Sequence, residues 1–197
     1  RDVMMNTVAP VWDGNETWMV LGGAGLFAAF PLVYSTVLSA LYMPIILMVI
    51  ALIFRGVAFE FRFKANKTKH LWDQAFIWGS ILSSFLQGVI LGAYIQGIET
   101  TNGIYTGGGL DWLTPFSLFT GISVVVLYAT LGCGWLIFKT EKMLQNRMFE
   151  LMPKLLISLL MIFVCVSIYT PLAHPQIAER WFSQPQLFYF SPVPVLV

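Results

Sequence analysis

The sequence predicts an all-α fold, a polytopic bundle of helices that forms a single integral membrane domain. Of the 197 residues, 57% are hydrophobic and 11% are charged, whereas soluble domains average about 45–50% apolar and about 25% charged residues. Four uncharged runs are each longer than the roughly 20 residues of helix that cross the hydrocarbon core of a bilayer. These runs therefore predict membrane-spanning helices.

The N-terminal region contains the acidic stretch VWDGNETW at residues 11–18, directly before the first apolar run. Asp13 and Glu16 are three residues apart, so a helix that begins near Asp13 places both carboxylates on one face. An ionisable residue at the edge of a membrane segment is a candidate functional residue. The alternative is structural: Asp13 or Asn15 caps the helix, Glu16 completes a capping arrangement, and the tryptophans are interface anchors.

The first apolar run, residues 17–54, is too long for one crossing and short for two. Pro31 divides it, because proline lacks a backbone N–H and disfavours helix at Phe30. We therefore expect a short re-entrant or interfacial helix over 14–31 and a full span over about 33–54. Two short crossings are the alternative.

The remaining runs predict three further full spans and the beginning of another. The full spans cover about residues 74–98, 113–138 and 155–173. Another apolar run begins near residue 188, and we expect the start of a further span over about 188–197. Because the chain begins without methionine and ends inside that run, we interpret it as a fragment of a longer protein.

Basic residues alternate between the segments that connect the spans. Five lie in residues 55–73 and four in residues 139–154, whereas the other connecting segments contain none or one. Since cytoplasmic loops are enriched in lysine and arginine, the loops at 55–73 and 139–154 are predicted to be cytoplasmic. Arg55 and Arg62 are expected to act there as interface anchors. The side on which Asp13 lies stays open.

The composition of the spans limits the chemistry of the chain. None of the predicted full spans contains His, Asp, Glu, Lys or Arg, and both histidines, His70 and His174, lie at span ends. Haem and metal sites draw on such side chains, so this chain alone is a poor candidate for binding either. Gln87 lies beside Gly88, whose spacing from Gly92 favours close helix packing. A net charge of +1 argues against a nucleic-acid partner.

Several longer motifs resemble subunit II of the cytochrome bd-type quinol oxidases, a family in which some members are called cyanide-insensitive terminal oxidases. The resemblance extends over essentially the whole chain, and the motifs occur in the family's order. They are WDGNETW at 12–18, GLFAAFP at 25–31, FRGVAFEFR at 54–62, DWLTPFSL at 111–118, GWLIFKTE at 134–141 and FSPVP at 190–194.

The resemblance implies a respiratory complex in a bacterial or archaeal plasma membrane. The complete subunit would have eight spans in two four-helix bundles, and it would pair with a subunit I that carries two haems b and one haem d. The complex oxidises quinol and reduces dioxygen to water. Small accessory subunits, membrane lipid and a structural quinone are further partners that the resemblance allows, and no cofactor is assigned to this chain itself.

The resemblance also implies roles for residues of the acidic stretch. Asp13 matches the position at which the family is thought to contribute an acid to a proton pathway. Glu16 is the second residue assigned to that pathway, although family members can carry an amide there. Trp12 and Asn15 would be neighbours of this pathway, and Trp12 would shield and orient Asp13. No catalytic residue is assigned to this chain.

A secondary transporter or channel is the alternative function from a different class. Transporters often form their substrate site at a helix that is broken near the middle of the membrane, and the segment around Pro31 fits that pattern. The lack of charged residues in the full spans weakens this interpretation.

Overall fold

The structure, a computed structural model, describes residues 1–173 and 175–184. These residues form seven helices and a two-stranded antiparallel hairpin. The helices are α1 (Asp2–Val8), α2 (Trp12–Ala29), α3 (Pro31–Lys64), α4 (Lys69–Gln96), α5 (Pro115–Lys139), α6 (Lys142–Ala173) and α7 (Pro175–Phe182), and the hairpin strands are β1 (Thr100–Thr101) and β2 (Ile104–Tyr105). Within the described ranges, α3, α4, α5 and α6 are long and apolar enough to cross a membrane. The predicted all-α membrane fold class is therefore confirmed.

The chain divides into two compact units, Arg1–Met152 and Pro153–Val197. The first unit contains α1 to α5, the hairpin and the beginning of α6. The described part of the second unit contains the rest of α6, which includes Pro153 and Pro171, and α7. His174 and the further span expected over 188–197 lie outside the residues that the structure describes.

The chain leaves the helical conformation at Phe30, where Pro31 predicts a break. Phe30 has φ −136° and ψ 62°, and Pro31 is the first residue of α3. Proline suits that position because its fixed φ is helical and its missing N–H has no intrahelical acceptor there. The helix before the break covers Trp12–Ala29 rather than 14–31.

The loops predicted at 55–73 and 139–154 are much shorter in the structure, so those boundaries are wrong. Helix α3 continues to Lys64 and α4 begins at Lys69, which leaves only residues 65–68 between them. Helix α6 begins at Lys142, so most of the second segment is helical as well. The charged residues do not mark the end of α3, because Arg62 and Lys64 lie in its last turn, where basic side chains interact favourably with the free carbonyl groups.

Helices α2 and α3 run antiparallel. At one end the rings of Phe27 and Tyr34 lie 5.1 Å apart, and at the other end the rings of Trp12 and Phe59 lie 4.9 Å apart. The 18 residues of α2 form a helix about 27 Å long at 1.5 Å per residue. The acidic stretch therefore lies at the same end of α3 as the basic residues of 55–73.

Glycines allow α4 and α5 to pack with their backbones close together. A Cβ atom on Gly88 would lie 2.5 Å from the carbonyl oxygen of Thr120 and 2.7 Å from Cα of Gly121. A Cβ atom on Gly92 would lie 2.7 Å from Cα of Ser117. The close packing predicted from the spacing of Gly88 and Gly92 is thus confirmed.

Candidate functional site

The acidic residues of the N-terminal stretch lie inside α2 and do not cap it. Val11 is the N-cap residue, without a side-chain hydrogen bond, and the helix begins at Trp12. Asp13 therefore belongs to the first turn, where its charge is favourable near the free N–H groups, and Asn15 lies two residues further along the helix. The predicted capping role is wrong, because the helix begins before both residues and Val11 occupies the N-cap position.

Glu16 forms an ion pair with Arg55 of α3. The Arg55 Nε and Glu16 Oε1 atoms are 3.3 Å apart, and each side chain is 24% exposed. Both atoms are buried and lack a hydrogen-bond partner within the described part of the chain. The two groups therefore interact through their charges, without a well-aligned hydrogen bond between these two atoms.

Burial raises the pKa of Glu16 above its ordinary value of 4.5. The charge of Arg55 opposes this effect, and the negative charge of Asp13 adds to it. Asp13 itself is exposed, so the two carboxyl groups stand in different environments although they are on neighbouring positions of one helix face. A half-buried acid with a raised pKa, next to an exposed acid, is an arrangement that can take a proton from water and hold it.

Trp12 packs on α3 beside this ion pair. Its ring is stacked on Phe59 with an interplanar angle of 10°, and Phe76 from α4 forms a T-shaped contact with Phe59. A Cβ atom on Gly56 would lie 3.1 Å from the Trp12 ring and 3.9 Å from Glu16 Oε2. The indole thus lies against Phe59 and Gly56, and it forms an apolar wall next to Glu16.

Arg62 is the centre of a second ionic cluster, which sequence reasoning missed. Its side chain is only 2% exposed; it donates a hydrogen bond to Asp73 of α4, and its Nη2 lies 2.6 Å from Asp2 Oδ1. Arg1 also pairs with Asp73 at 2.8 Å, and Lys69 pairs with Asp2 at 3.2 Å. The expectation that Arg62 is an interface anchor is wrong, since it is buried and paired.

Arg55 and Arg62 lie two helical turns apart on α3, about 10 Å along its axis, with Phe59 between them. In the sequence, the spacing of seven residues, which is about two helical turns, indicates that both arginines lie on one helix face. It could not reveal their partners, because Glu16 and Asp2 come from other helices. The predicted anchor role of Arg55 is also incomplete, since its guanidinium faces Glu16.

No cluster of three or more His, Cys, Asp or Glu side chains suitable for a metal ion occurs in residues 1–173 and 175–184. His70 is exposed in the first turn of α4.

The whole chain, residues 1–197, matches the family model described as cytochrome bd terminal oxidase subunit II. It is 34% identical over 160 residues to the cytochrome bd ubiquinol oxidase subunit 2 of Bacillus subtilis, which covers 79% of this chain and 47% of that protein. It is 33% identical over 158 residues to the cytochrome bd-I ubiquinol oxidase subunit 2 of Escherichia coli, covering 75% of this chain and 41% of that protein.

A third relative, the probable cytochrome oxidase subunit 2 of Haemophilus influenzae, is 33% identical over 156 residues, which are 75% of this chain and 41% of the relative. The chain thus spans less than half the length of the curated relatives that it matches.

Proposed function

Since this chain belongs to the family of cytochrome bd terminal oxidase subunit II, we propose that it acts within a membrane complex that oxidises quinol and reduces dioxygen to water. The names of its relatives in Bacillus subtilis and Escherichia coli support this function, because both are ubiquinol oxidase subunits. The transporter interpretation has no comparable support.

The haems of the complex, two of b type and one of d type, are carried by the partner subunit I in this proposal. Bound there, they transfer electrons and reduce dioxygen. The residues of the present chain support that reaction by structure and by proton delivery. Accessory subunits, membrane lipid and a structural quinone complete the proposed set of partners.

Proton uptake is the specific contribution that we assign to α2. The reduction of dioxygen to water consumes protons, and the half-buried Glu16 with its raised pKa carries this assignment. Asp13 is exposed, so water reaches its carboxyl group. Glu16, three residues further along the same helix, holds a proton in a less polar environment beside Trp12.

The proton enters from the cytoplasm in this proposal. Residues 12–16 lie at the end of α3 that carries the basic residues of 55–73, and lysine and arginine are enriched on the cytoplasmic side of membrane proteins. The membrane is the plasma membrane of a bacterium or archaeon. Uptake of protons from the inner side, with quinol protons released on the other, generates a proton motive force without a pump.

The full-length protein, expressed with its neighbouring genes and purified gently from native membranes, tests the function. The reduced-minus-oxidised visible spectrum is expected to show d-type haem, and the preparation is expected to consume oxygen with quinol. A stable, intact preparation without haem, combined with substrate-dependent flux in liposomes, contradicts the oxidase function and supports the transporter alternative.

Removal of either acid is expected to slow oxygen reduction without loss of haem. In the purified complex, Asp13→Asn and Glu16→Gln each lower the rate of oxygen consumption about tenfold, equal to about 1.4 kcal/mol in activation free energy, because the proton must bypass one carboxyl group. The measurement is oxygen consumption per haem. Glu150→Gln, the same change at an exposed position of α6, is the control and retains the wild-type rate.

Loss of haem or of subunit assembly in Asp13→Asn and Glu16→Gln contradicts a role in proton delivery. That result assigns the two acids to folding or to the contact between subunits.

A further inference from the structure

We propose that Arg55 is a positioning residue that sets how tightly Glu16 holds its proton, an inference that rests on the proposed role of Glu16 in proton uptake. The two side chains come from antiparallel helices, and their charged groups are 3.3 Å apart. Arg55 from α3 and Asp13 from α2 are the charges that act on Glu16. One favours the ionised carboxylate and the other opposes it.

The geometry of the pair leaves Glu16 free to change its protonation state. Hydrogen bonds from a guanidinium to a carboxylate strongly favour the ionised form. Here Arg55 Nε and Glu16 Oε1 are buried and make no hydrogen bond within the described residues. Glu16 can therefore gain a proton without breaking a hydrogen bond to Arg55, while the positive charge still limits how far burial raises its pKa.

Arg62 provides the contrast on the same helix. It is 2% exposed, donates a hydrogen bond to Asp73 and pairs with Asp2. Such hydrogen-bonded pairs hold both partners in their charged forms. The same residue type thus serves two purposes on α3: Arg62 joins helices, and Arg55 acts on the proton equilibrium of Glu16.

Trp12 and Gly56 lie next to the ion pair. The Trp12 ring fills the space beside Gly56, and a Cβ atom on Gly56 would lie 3.9 Å from Glu16 Oε2. The indole and the α3 backbone thus border the carboxyl group of Glu16. Because a guanidinium keeps its charge through the working pH range, Arg55 exerts a constant field while Glu16 titrates.

The test is oxygen consumption by the intact complex as a function of pH. The rate falls as the pH rises through the pKa of Glu16, since an ionised carboxylate has no proton to pass on. In Arg55→Gln the midpoint of this fall is expected about 1 pH unit higher, because an opposite charge within about 4–6 Å lowers a carboxyl pKa by about 1–3 units. Arg55→Lys keeps the charge and is expected to restore the wild-type midpoint.

Arg147→Gln is the matched control, because Arg147 is exposed on α6 and loses the same charge. Its midpoint is expected to equal that of the wild type. An Arg55→Gln midpoint that stays in place or moves to lower pH overturns the inference.

Glu16→Gln separates this inference from the proposed function. If the rate of oxygen consumption by Glu16→Gln falls with rising pH as in the wild type, Glu16 has no part in proton uptake and the proposed function fails. If Glu16→Gln abolishes this fall in rate, while Arg55→Gln leaves the pH at its midpoint unchanged, only the role of Arg55 fails.

The double variant Glu16→Gln/Arg55→Gln decides the case in which Arg55→Gln alone does not assemble with haem. Assembly of the double variant with the pH profile of Glu16→Gln supports the charge pairing, since removal of both charges leaves no unpaired charge at this position. Failure of the double variant to assemble assigns Arg55 to structure alone and overturns the inference.

Discussion

Replacement of Arg62 by methionine is expected to lower the free energy of unfolding by about 3 kcal/mol, at the lower end of the cost of breaking a buried ion pair. Methionine fills a similar volume but leaves Asp73, whose side chain is 14% exposed, without its buried cation. Arg1 still pairs with Asp73 from a more exposed position, which limits the loss. The measurement is unfolding of the purified full-length protein in detergent.

Lys69→Met is the control for Arg62→Met. Lys69 pairs with Asp2 at 3.2 Å, and both side chains are exposed. Exposed pairs contribute about 0–1 kcal/mol, so this variant is expected to unfold almost as the wild type does. The double variant Arg62→Met/Asp73→Asn should recover part of the loss, because it leaves no uncompensated buried charge. Equal stability of Arg62→Met and wild type contradicts the structural role of Arg62.

Gly88→Ala is expected to destabilise the protein by about 1–3 kcal/mol through overpacking. The new methyl group would lie 2.5 Å from the carbonyl oxygen of Thr120, and backbone atoms cannot move aside as a flexible side chain can. Separation of α4 and α5 also strains the neighbouring hydrogen bond that Tyr128 donates to Gln87 at 2.8 Å. The same unfolding measurement applies.

Gly132→Ala provides the matched comparison, since a Cβ on Gly132 of α5 meets nothing within 4 Å in the described residues. This change is expected to leave stability unchanged or raise it by up to about 1 kcal/mol, because alanine favours helix over glycine. A loss of stability in Gly88→Ala, without a loss of stability in Gly132→Ala, supports close backbone packing between α4 and α5. Equal effects contradict it.

The apolar runs predicted the class of the fold and the break at Pro31 because both depend on local properties of the chain. Membrane-spanning helices require long uncharged segments, and proline lacks an N–H group and disfavours helix at the preceding residue. The chain breaks in this way before Pro31, whereas Pro44 of α3 and both Pro153 and Pro171 of α6 lie inside their helices. The spacing of Gly88 and Gly92 likewise predicted a contact surface. It did not identify Thr120 and Gly121 as the opposing residues.

The ends of the helices could not be predicted from charge. The segment after Phe54 is rich in charged residues, yet α3 continues through it to Lys64. A helix can continue beyond its apolar residues, since its backbone hydrogen bonds do not depend on which side chains it carries, whereas the charge pattern reports only the polarity of the side chains. The basic residues therefore did not predict the length of the helix.

The candidate site was predicted in part. The sequence identified Asp13 and Glu16 as the acids next to the first apolar run, and the resemblance favoured Asp13. In the structure Glu16 is half-buried and has a cationic neighbour, because residue 16 faces α3, while Asp13 is exposed. Which of two acids on a helix faces a neighbouring helix depends on packing between distant segments, and that information is absent from local spacing.

Proton uptake by the fully reduced complex on mixing with dioxygen tests the role of Asp13 and Glu16 most directly. A pH-indicator dye in weakly buffered solution reports the uptake, and haem absorbance reports the electron transfer in the same sample. In Asp13→Asn and Glu16→Gln, proton uptake is expected to slow about tenfold, equal to about 1.4 kcal/mol, with an unchanged haem spectrum. Wild-type rates of proton uptake in both variants would contradict a proton pathway through α2.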